Sequence, residues 1–129
     1  MALAIGIDMI EISDTRASLA LHGRRYVRRV FTHGEIVDSR DGTDARWLAT
    51  CFAAKEATLK AIGATSEPID LRSVEVRAGT SGQPSVCLSG TCAEIAERAG
   101  IVRISLSVAA TRELATAIAI AQTDHNDRK

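Results

Sequence analysis

Aromatic side chains are almost absent from this 129-residue sequence, since Phe, Trp and Tyr together make up 3% of it. Apolar residues as a whole reach 46%, so a core must be built mainly from Ala, Ile, Leu and Val. Small side chains bury less area each, and the length is that of one modest domain, so a lone monomer would be weakly stabilised. We expect association into an oligomer to recover part of this deficit.

An excess of either charge is also missing, because 16 basic residues balance 16 acidic ones. This balance argues against general nucleic-acid binding. No apolar run approaches the roughly 20 residues that span a bilayer, so no membrane association is expected. The first residues lack a basic segment, and Asp8 and Glu11 interrupt their apolar run, so they do not resemble a signal peptide.

The cysteines form an odd set of three without a CxxC pair. They are most simply interpreted as small, partly buried apolar residues in a reducing compartment. Together with the preceding absences, this favours a cytoplasmic protein.

The pattern of apolar residues and turn signals predicts an α+β fold, with a small antiparallel sheet packed with helices. The first strand, 3–10, is continuously apolar and is expected to be buried on both faces. Thr32 and Glu35 have the spacing of a capping box, and Ser13 or Asp14 is expected to cap an earlier helix. Strands are predicted at 3–10, 74–78, 84–88, 103–109 and 114–121, and helices at 14–22, from 32 onward, at 44–62 and at 91–99. We assign 1–122 to a single domain and 123–129 to a polar tail.

Three charged residues carry the main chemical signal. Asp8 interrupts the apolar first strand, where an unpaired charge would be costly, although it could also cap the next helix. Glu56 and Lys60 are four residues apart on one helix face, a spacing that also occurs in exposed pairs worth ~0.3 kcal/mol. If the fold brings Asp8 to Glu56, two carboxylates lie beside a lysine. Such a site suits a hard divalent cation and a phosphorylated substrate.

The order of five motifs resembles the holo-[acyl-carrier-protein] synthase family. The resemblance spans about residues 5 to 121, and FAAKEA at 52–57 is its most specific part. The motifs are GID at 6–8, RVFTHGE at 29–35, WLATCFAAKEATLKAIG at 47–63, GQP at 82–84 and ISLS at 104–107.

The resemblance implies transfer of 4′-phosphopantetheine from coenzyme A to a serine of an acyl carrier protein, which releases adenosine 3′,5′-bisphosphate. Asp8 and Glu56 match magnesium ligands, and Mg²⁺ prefers one or two carboxylates plus phosphate oxygens and water. Lys60 matches the lysine that approaches the pyrophosphate. Either Glu56 or a magnesium-bound water that it orients could accept the serine proton.

Further binding residues are implied for both substrates. Contacts with coenzyme A are implied for Lys60, Gly63, Gly82, Gln83, Pro84, Ser105 and Ser107. The 82–84 turn is equally a simple hairpin turn, and the serines equally a solvated strand face. Because carrier proteins are acidic, a basic docking face is expected, although any one arginine could belong to a solvated helix. The candidates are Arg16, Arg24, Arg25, Arg28 and Arg29.

The resemblance also implies a homotrimer with active sites between adjacent subunits. Asp8, Glu56 and Lys60 would come from one subunit, and the strand containing Ser105 and Ser107, or the 82–84 turn, from its neighbour.

Three positions depart from the family pattern. Asp14 stands where an arginine is usual, Cys51 replaces an arginine before FAAKEA, and Val108 replaces a histidine or aspartate. We expect the reaction to be retained, with changes in carrier selection and coenzyme A affinity, as in an enzyme dedicated to one carrier domain of a polyketide pathway. The alternatives are a coenzyme A or nucleotide-binding module without transferase activity and a metal-dependent hydrolase of a nucleotide pyrophosphate.

Overall fold

The computed structural model describes residues 1–64, 66 and 68–124. Helices and strands alternate irregularly along the chain, as expected for an α+β fold. They are β1 (Ala2–Glu11), α1 (Ile12–His22), α2 (Arg24–Val30), α3 (His33–Asp38), α4 (Ala45–Ile62), a 3₁₀ helix (Leu71–Ser73), β2 (Val74–Arg77), β3 (Ser85–Leu88), α5 (Gly90–Arg98), β4 (Ile101–Ala110) and β5 (Leu114–Thr123). Within the described ranges, no helix is both long and apolar enough to cross a membrane.

All strand pairing within the described residues is antiparallel, and these strands form two sheets. The larger sheet has the order β1–β5–β4, and the smaller one is the β2–β3 hairpin. The predicted α+β class and antiparallel pairing are therefore confirmed, although the strands divide between two sheets. Strand β5 extends to Thr123, one residue into the predicted tail, and residues 125–129 lie outside the described residues.

Helix α4 is the central element and packs across the larger sheet. It begins after Asp44, whose side chain accepts a hydrogen bond from Trp47 N at 3.1 Å, and it ends at Gly63, whose φ is +80°. Both ends match the prediction. Alternate alanines of β5 meet the helix and are at most 1% exposed, at positions 115, 117, 119 and 121. Small side chains on both elements allow the helix and the sheet to approach closely.

Gly6 is the point of closest approach between β1 and α4. A Cβ atom added at Gly6 would lie 1.9 Å from the Ala57 carbonyl oxygen and 2.9 Å from the Ala61 nitrogen. Both are backbone atoms of a helix, which cannot rotate away as a side chain would. Glycine is therefore required at position 6 for this helix to lie on this strand.

Within the described part of the chain, nothing covers the opposite face of β1. Leu3, Ile5, Ile7 and Met9 are between 57% and 61% exposed. The prediction that this strand is buried on both faces is therefore wrong for the single chain. Strand β1 lies at an edge of an antiparallel sheet, and α4 covers only the face that bears Gly6.

Two predictions for the first helices need correction. Helix α1 begins at Ile12, after Glu11, so Ser13 and Asp14 lie inside it and neither is its cap. Helix α2 was not predicted, because its seven residues include four arginines and offer a short apolar face.

The capping box of α3 is confirmed, since Thr32 Oγ1 accepts from Glu35 N at 3.2 Å and Glu35 Oε1 from Thr32 N at 2.9 Å. In the predicted 64–70 connection, Thr65 and Glu67 lie outside the described residues.

The close approach predicts a large effect of Gly6→Ala. The added methyl group must displace the α4 backbone, and overpacking of this kind costs up to about 3 kcal/mol. Gly100→Ala is a matched control, because Gly100 has φ of +75° with open space around it and should cost only about 1 kcal/mol. Urea unfolding measures both values. A Gly6→Ala cost no greater than the Gly100→Ala cost would contradict this packing.

Candidate active site

Lys60, near the end of α4, is bound to β1. Its Nζ donates to the Ile7 carbonyl oxygen at 2.9 Å and to Asp8 Oδ1 at 3.3 Å. The Lys60 side chain is 48% exposed and that of Asp8 is 20% exposed. Asp8 follows Gly6 closely along β1, and Lys60 follows Ala57 by about one turn of α4. The close packing of Gly6 on Ala57 therefore brings the side chains of Asp8 and Lys60 together. The pair therefore lies at the surface, where a dissolved ligand can reach it.

Glu56 lies one helical turn before Lys60 and is partly buried. Burial raises the pKa of the Glu56 carboxyl, the nearby charge of Asp8 raises it further, and Lys60 opposes both effects. The structure therefore brings together Asp8, Glu56 and Lys60, which are far apart in sequence. Lys60 forms its ion pair with Asp8, and not the exposed pair with Glu56 that the helical spacing offered as an alternative.

Two neighbouring carboxylates that repel each other form a set of donors that a cation would stabilise. Among the described residues, no group of three or more His, Cys, Asp or Glu side chains could hold a metal ion. The protein ligands available to a cation at this surface are therefore two carboxylates, those of Asp8 and Glu56. Two carboxylates fit Mg²⁺, which completes its shell with phosphate oxygens and water, better than an ion that needs an all-protein site.

Ser105 and Ser107 lie on the other face of the sheet. Across the three strands of the sheet, Asp8 lies in one row with Ala117 and Val108. The neighbouring row consists of Ile7, Ile118 and Ser107. Side chains of neighbouring rows point to opposite faces. The two serines therefore share the uncovered face with the exposed side chains of β1, and a single chain does not bring them to Asp8.

The 82–84 turn lies in the loop that connects β2 to β3, and it contacts β4. Gln83 Nε2 donates to the Leu106 carbonyl oxygen at 3.1 Å, and Gly82 has φ of +83°. Gln83 therefore has a structural role, because it links the hairpin to the edge of the larger sheet. Gly63 lies three residues after Lys60, at the left-handed end of α4.

Comparison with known proteins places this arrangement in a family. Residues 4–119 match the family model described as the 4′-phosphopantetheinyl transferase superfamily. The chain belongs to this family.

Relatives with this architecture match the chain over nearly its whole length. A holo-[acyl-carrier-protein] synthase of Halorhodospira halophila is 37% identical over 125 residues, which cover 95% of this chain and 99% of that protein. The solved acyl carrier protein synthase of Mycobacterium tuberculosis is 32% identical, with a TM-score of 0.72 and coverage of 94% and 97%. A holo-(acyl-carrier-protein) synthase structure from Bacillus anthracis, in complex with CoA (3′,5′-ADP), is 25% identical, with a TM-score of 0.75 and coverage of 95% and 100%.

The arginine cluster lies on the outer side of α2. Tyr26, Val27 and Val30 face the interior, so the four arginines are exposed, as is Arg16 on α1. An open groove of about 760 Å³ runs beside them between α1, α2 and the loop after α3. The exposed set is Arg16, Arg24, Arg25, Arg28 and Arg29.

The three departures from the family pattern occupy different environments. Asp14 is exposed on α1 and lines a cavity of about 360 Å³ with Glu11 and Phe52. Cys51 is completely buried, and burial followed by the charge of Glu35 raises the pKa of its thiol, which therefore stays protonated. Val108 lies in the same strand row as Asp8, two strands away.

Of the three cysteines expected to be partly buried, Cys51 and Cys92 are buried and Cys87 is exposed.

A buried ion pair next to the site was missed from the sequence. Lys55 Nζ lies 2.9 Å from Glu35 Oε1, and both side chains are 0% exposed. Glu35 was interpreted only as part of a capping box. A lysine in the middle of an alanine-rich stretch was the available signal, because a helix that is buried on most sides leaves a charge there little access to water.

The electrostatics of the site predict opposite effects of two substitutions on the pKa of Glu56. Asp8→Asn removes a negative neighbour and should lower that pKa, whereas Lys60→Met removes a positive neighbour and should raise it further. Titration of the Glu56 side-chain carboxyl by NMR, without added metal, measures both. Glu94→Gln on α5 is the control and should leave the Glu56 pKa unchanged. Shifts of the same sign in the two variants would rule out this arrangement.

Proposed function

We propose that this chain is a holo-[acyl-carrier-protein] synthase. It transfers 4′-phosphopantetheine from coenzyme A to a serine of an acyl carrier protein and releases adenosine 3′,5′-bisphosphate. The observation that carries the proposal is the cluster of Asp8, Glu56 and Lys60 at one surface, since these residues also match the family's motifs. The names of the relatives support the activity, and the complex of the Bacillus anthracis relative with CoA (3′,5′-ADP) supports the donor.

Lys60 is suited to bind the coenzyme A pyrophosphate. An ammonium group has three N–H donors, and the Ile7 carbonyl and Asp8 occupy two of them within the described part of the chain. The third can donate to a phosphate oxygen, because the side chain is about half exposed. Asp8 and Glu56 would hold Mg²⁺, which when bound neutralises charge on the pyrophosphate.

Glu56 is the group of this chain that can accept the proton of the attacking serine, directly or through a water that it orients. Its side chain is partly buried beside Asp8, so this carboxylate is held at the surface where the pyrophosphate is proposed to bind. The serine oxygen forms a bond to the phosphorus of the phosphopantetheine group, and the bond from that phosphorus to the bridging oxygen breaks. The bridging oxygen leaves with adenosine 3′,5′-bisphosphate, and Lys60 stabilises its charge.

A homotrimer with shared active sites is the assembly that fits this proposal. Four large apolar side chains of β1 and Ile118 of β5 are exposed on one face of the sheet, and an apolar patch of this kind favours association. Ser105 and Ser107 lie on that same face, so they could reach coenzyme A only at a neighbouring subunit's site. The arginines of α2 and Arg16 would bind the acidic carrier, with Asp14 weakening the attraction locally.

Mass spectrometry of an apo carrier protein, incubated with the chain, coenzyme A and Mg²⁺, tests the activity. The carrier is expected to gain the mass of phosphopantetheine, and Glu56→Gln should abolish this gain while the protein stays folded by circular dichroism. Glu97→Gln, an exposed change on α5, is the control and should leave transfer unchanged.

Other outcomes of that incubation favour the alternatives. Binding of coenzyme A without modification of any carrier would favour a binding module. Release of adenosine bisphosphate in the absence of a carrier would favour a hydrolase. Either result would overturn the proposed transferase.

The proposed assembly predicts that a charge in the middle of the uncovered sheet face separates the subunits. Ile5→Glu should reduce the mass measured by light scattering from a trimer to the 13.7 kDa monomer and should lower transfer activity. Leu21→Glu is the control, because Leu21 is 77% exposed on α1, away from this face, and should leave the mass unchanged. A monomeric wild-type protein with full activity would contradict the shared site.

A further inference from the structure

Glu35 of α3 and Lys55 of α4 form a fully enclosed ion pair. Since both side chains are 0% exposed, neither can touch a carrier or a dissolved nucleotide. Besides Glu35, Lys55 Nζ donates to the carbonyl oxygens of Leu71 at 2.8 Å and of Val74. All three N–H groups of the ammonium therefore have a partner. Glu35 Oε2 accepts from Val76 N at 2.6 Å.

The pair occupies one edge of strand β2. In a strand, the peptide groups of residues two apart point to the same side, so Val74 and Val76 present their carbonyl and N–H groups to one edge. Lys55 donates to the first residue and Glu35 accepts from the second, as a neighbouring strand would do. A shift of β2 by one residue would turn these groups away, and the pair therefore fixes the register between β2, α3 and α4.

The same pair fixes the rotation of α4. Successive residues of an α-helix point about 100° apart, so Lys55 faces β2 while the next residue, Glu56, faces the side of β1 and Asp8. Lys60 follows Glu56 by one turn on that side. A rotation that moved Lys55 from its three partners would therefore move Glu56 and Lys60 relative to Asp8.

Stability alone is a poor explanation for such a pair. Burying two charges is costly, and replacing a buried ion pair by apolar side chains of similar size is often neutral or stabilising. We propose that Glu35 and Lys55 form a positioning pair of the transferase, which sets the rotation of α4 so that Glu56 and Lys60 face Asp8. This inference rests on the proposed function.

The double variant Glu35→Gln, Lys55→Met removes both charges and keeps similar side-chain volumes. We expect it to fold and to lose about tenfold or more in kcat, because small misplacements of catalytic groups are costly. The KM for the carrier should change by less than about threefold, because the exposed docking face is intact. Ala96→Gly, a buried change on α5, is the control for a loss of stability without loss of kcat.

If the double variant does not fold, Glu35→Asp takes its place, since it keeps both charges but shortens one side chain by a methylene group. In the folded variant, a fall in kcat of about fivefold or more supports the proposal. A smaller fall, or a loss carried by KM, overturns it. If the wild type and Ala96→Gly both fail to modify a carrier, the proposed function fails and this inference fails with it. If the wild type and Ala96→Gly transfer normally and the variant of the ion pair keeps the wild-type kcat, this inference alone is overturned.

Discussion

Contact between backbone and backbone, at Gly6 of β1 and Ala57 of α4, is the constraint on which the site depends. Because no side chain fits between the two elements, the helix lies directly on the strand. The separation of the elements is then short enough for Lys60 to reach both the Ile7 carbonyl and Asp8. The alanines of β5 extend the same close contact across the sheet. The low aromatic content is therefore a condition of this architecture, since large side chains would hold the layers apart.

The close packing divides the sheet into two faces with different chemistry. The face toward α4 carries Asp8, Gly6 and the buried alanines of β5, with larger apolar side chains such as Leu106 on β4, whereas the other carries exposed Leu and Ile with Ser105 and Ser107. Among the described residues, no helix covers this second face. The uncovered face and the divided set of binding residues support the same proposal, in which neighbouring subunits complete each other's sites.

The sequence predicted those parts of the structure that depend on local patterns. The capping box at Thr32 and Glu35, the ends of α4 and the two hairpins follow from side chains close in sequence, and the structure confirms them. The meeting of Asp8 with Glu56 and Lys60 could be predicted only through the resemblance, because spacing cannot tell which strand meets Glu56. The exposure of β1 was missed, since an apolar strand looks alike whether its second face meets another layer or another subunit. The partner of Lys55 was missed for a similar reason: it lies twenty residues away, on another helix.

A crystal structure of the protein with coenzyme A and Mg²⁺ tests most directly whether the pyrophosphate binds where α4 meets β1, as proposed. We expect a phosphate oxygen within hydrogen-bonding distance of Lys60 Nζ and a metal ion ligated by the carboxylates of Asp8 and Glu56. A pyrophosphate bound elsewhere, with Asp8 and Glu56 contacting neither metal nor phosphate, would contradict it.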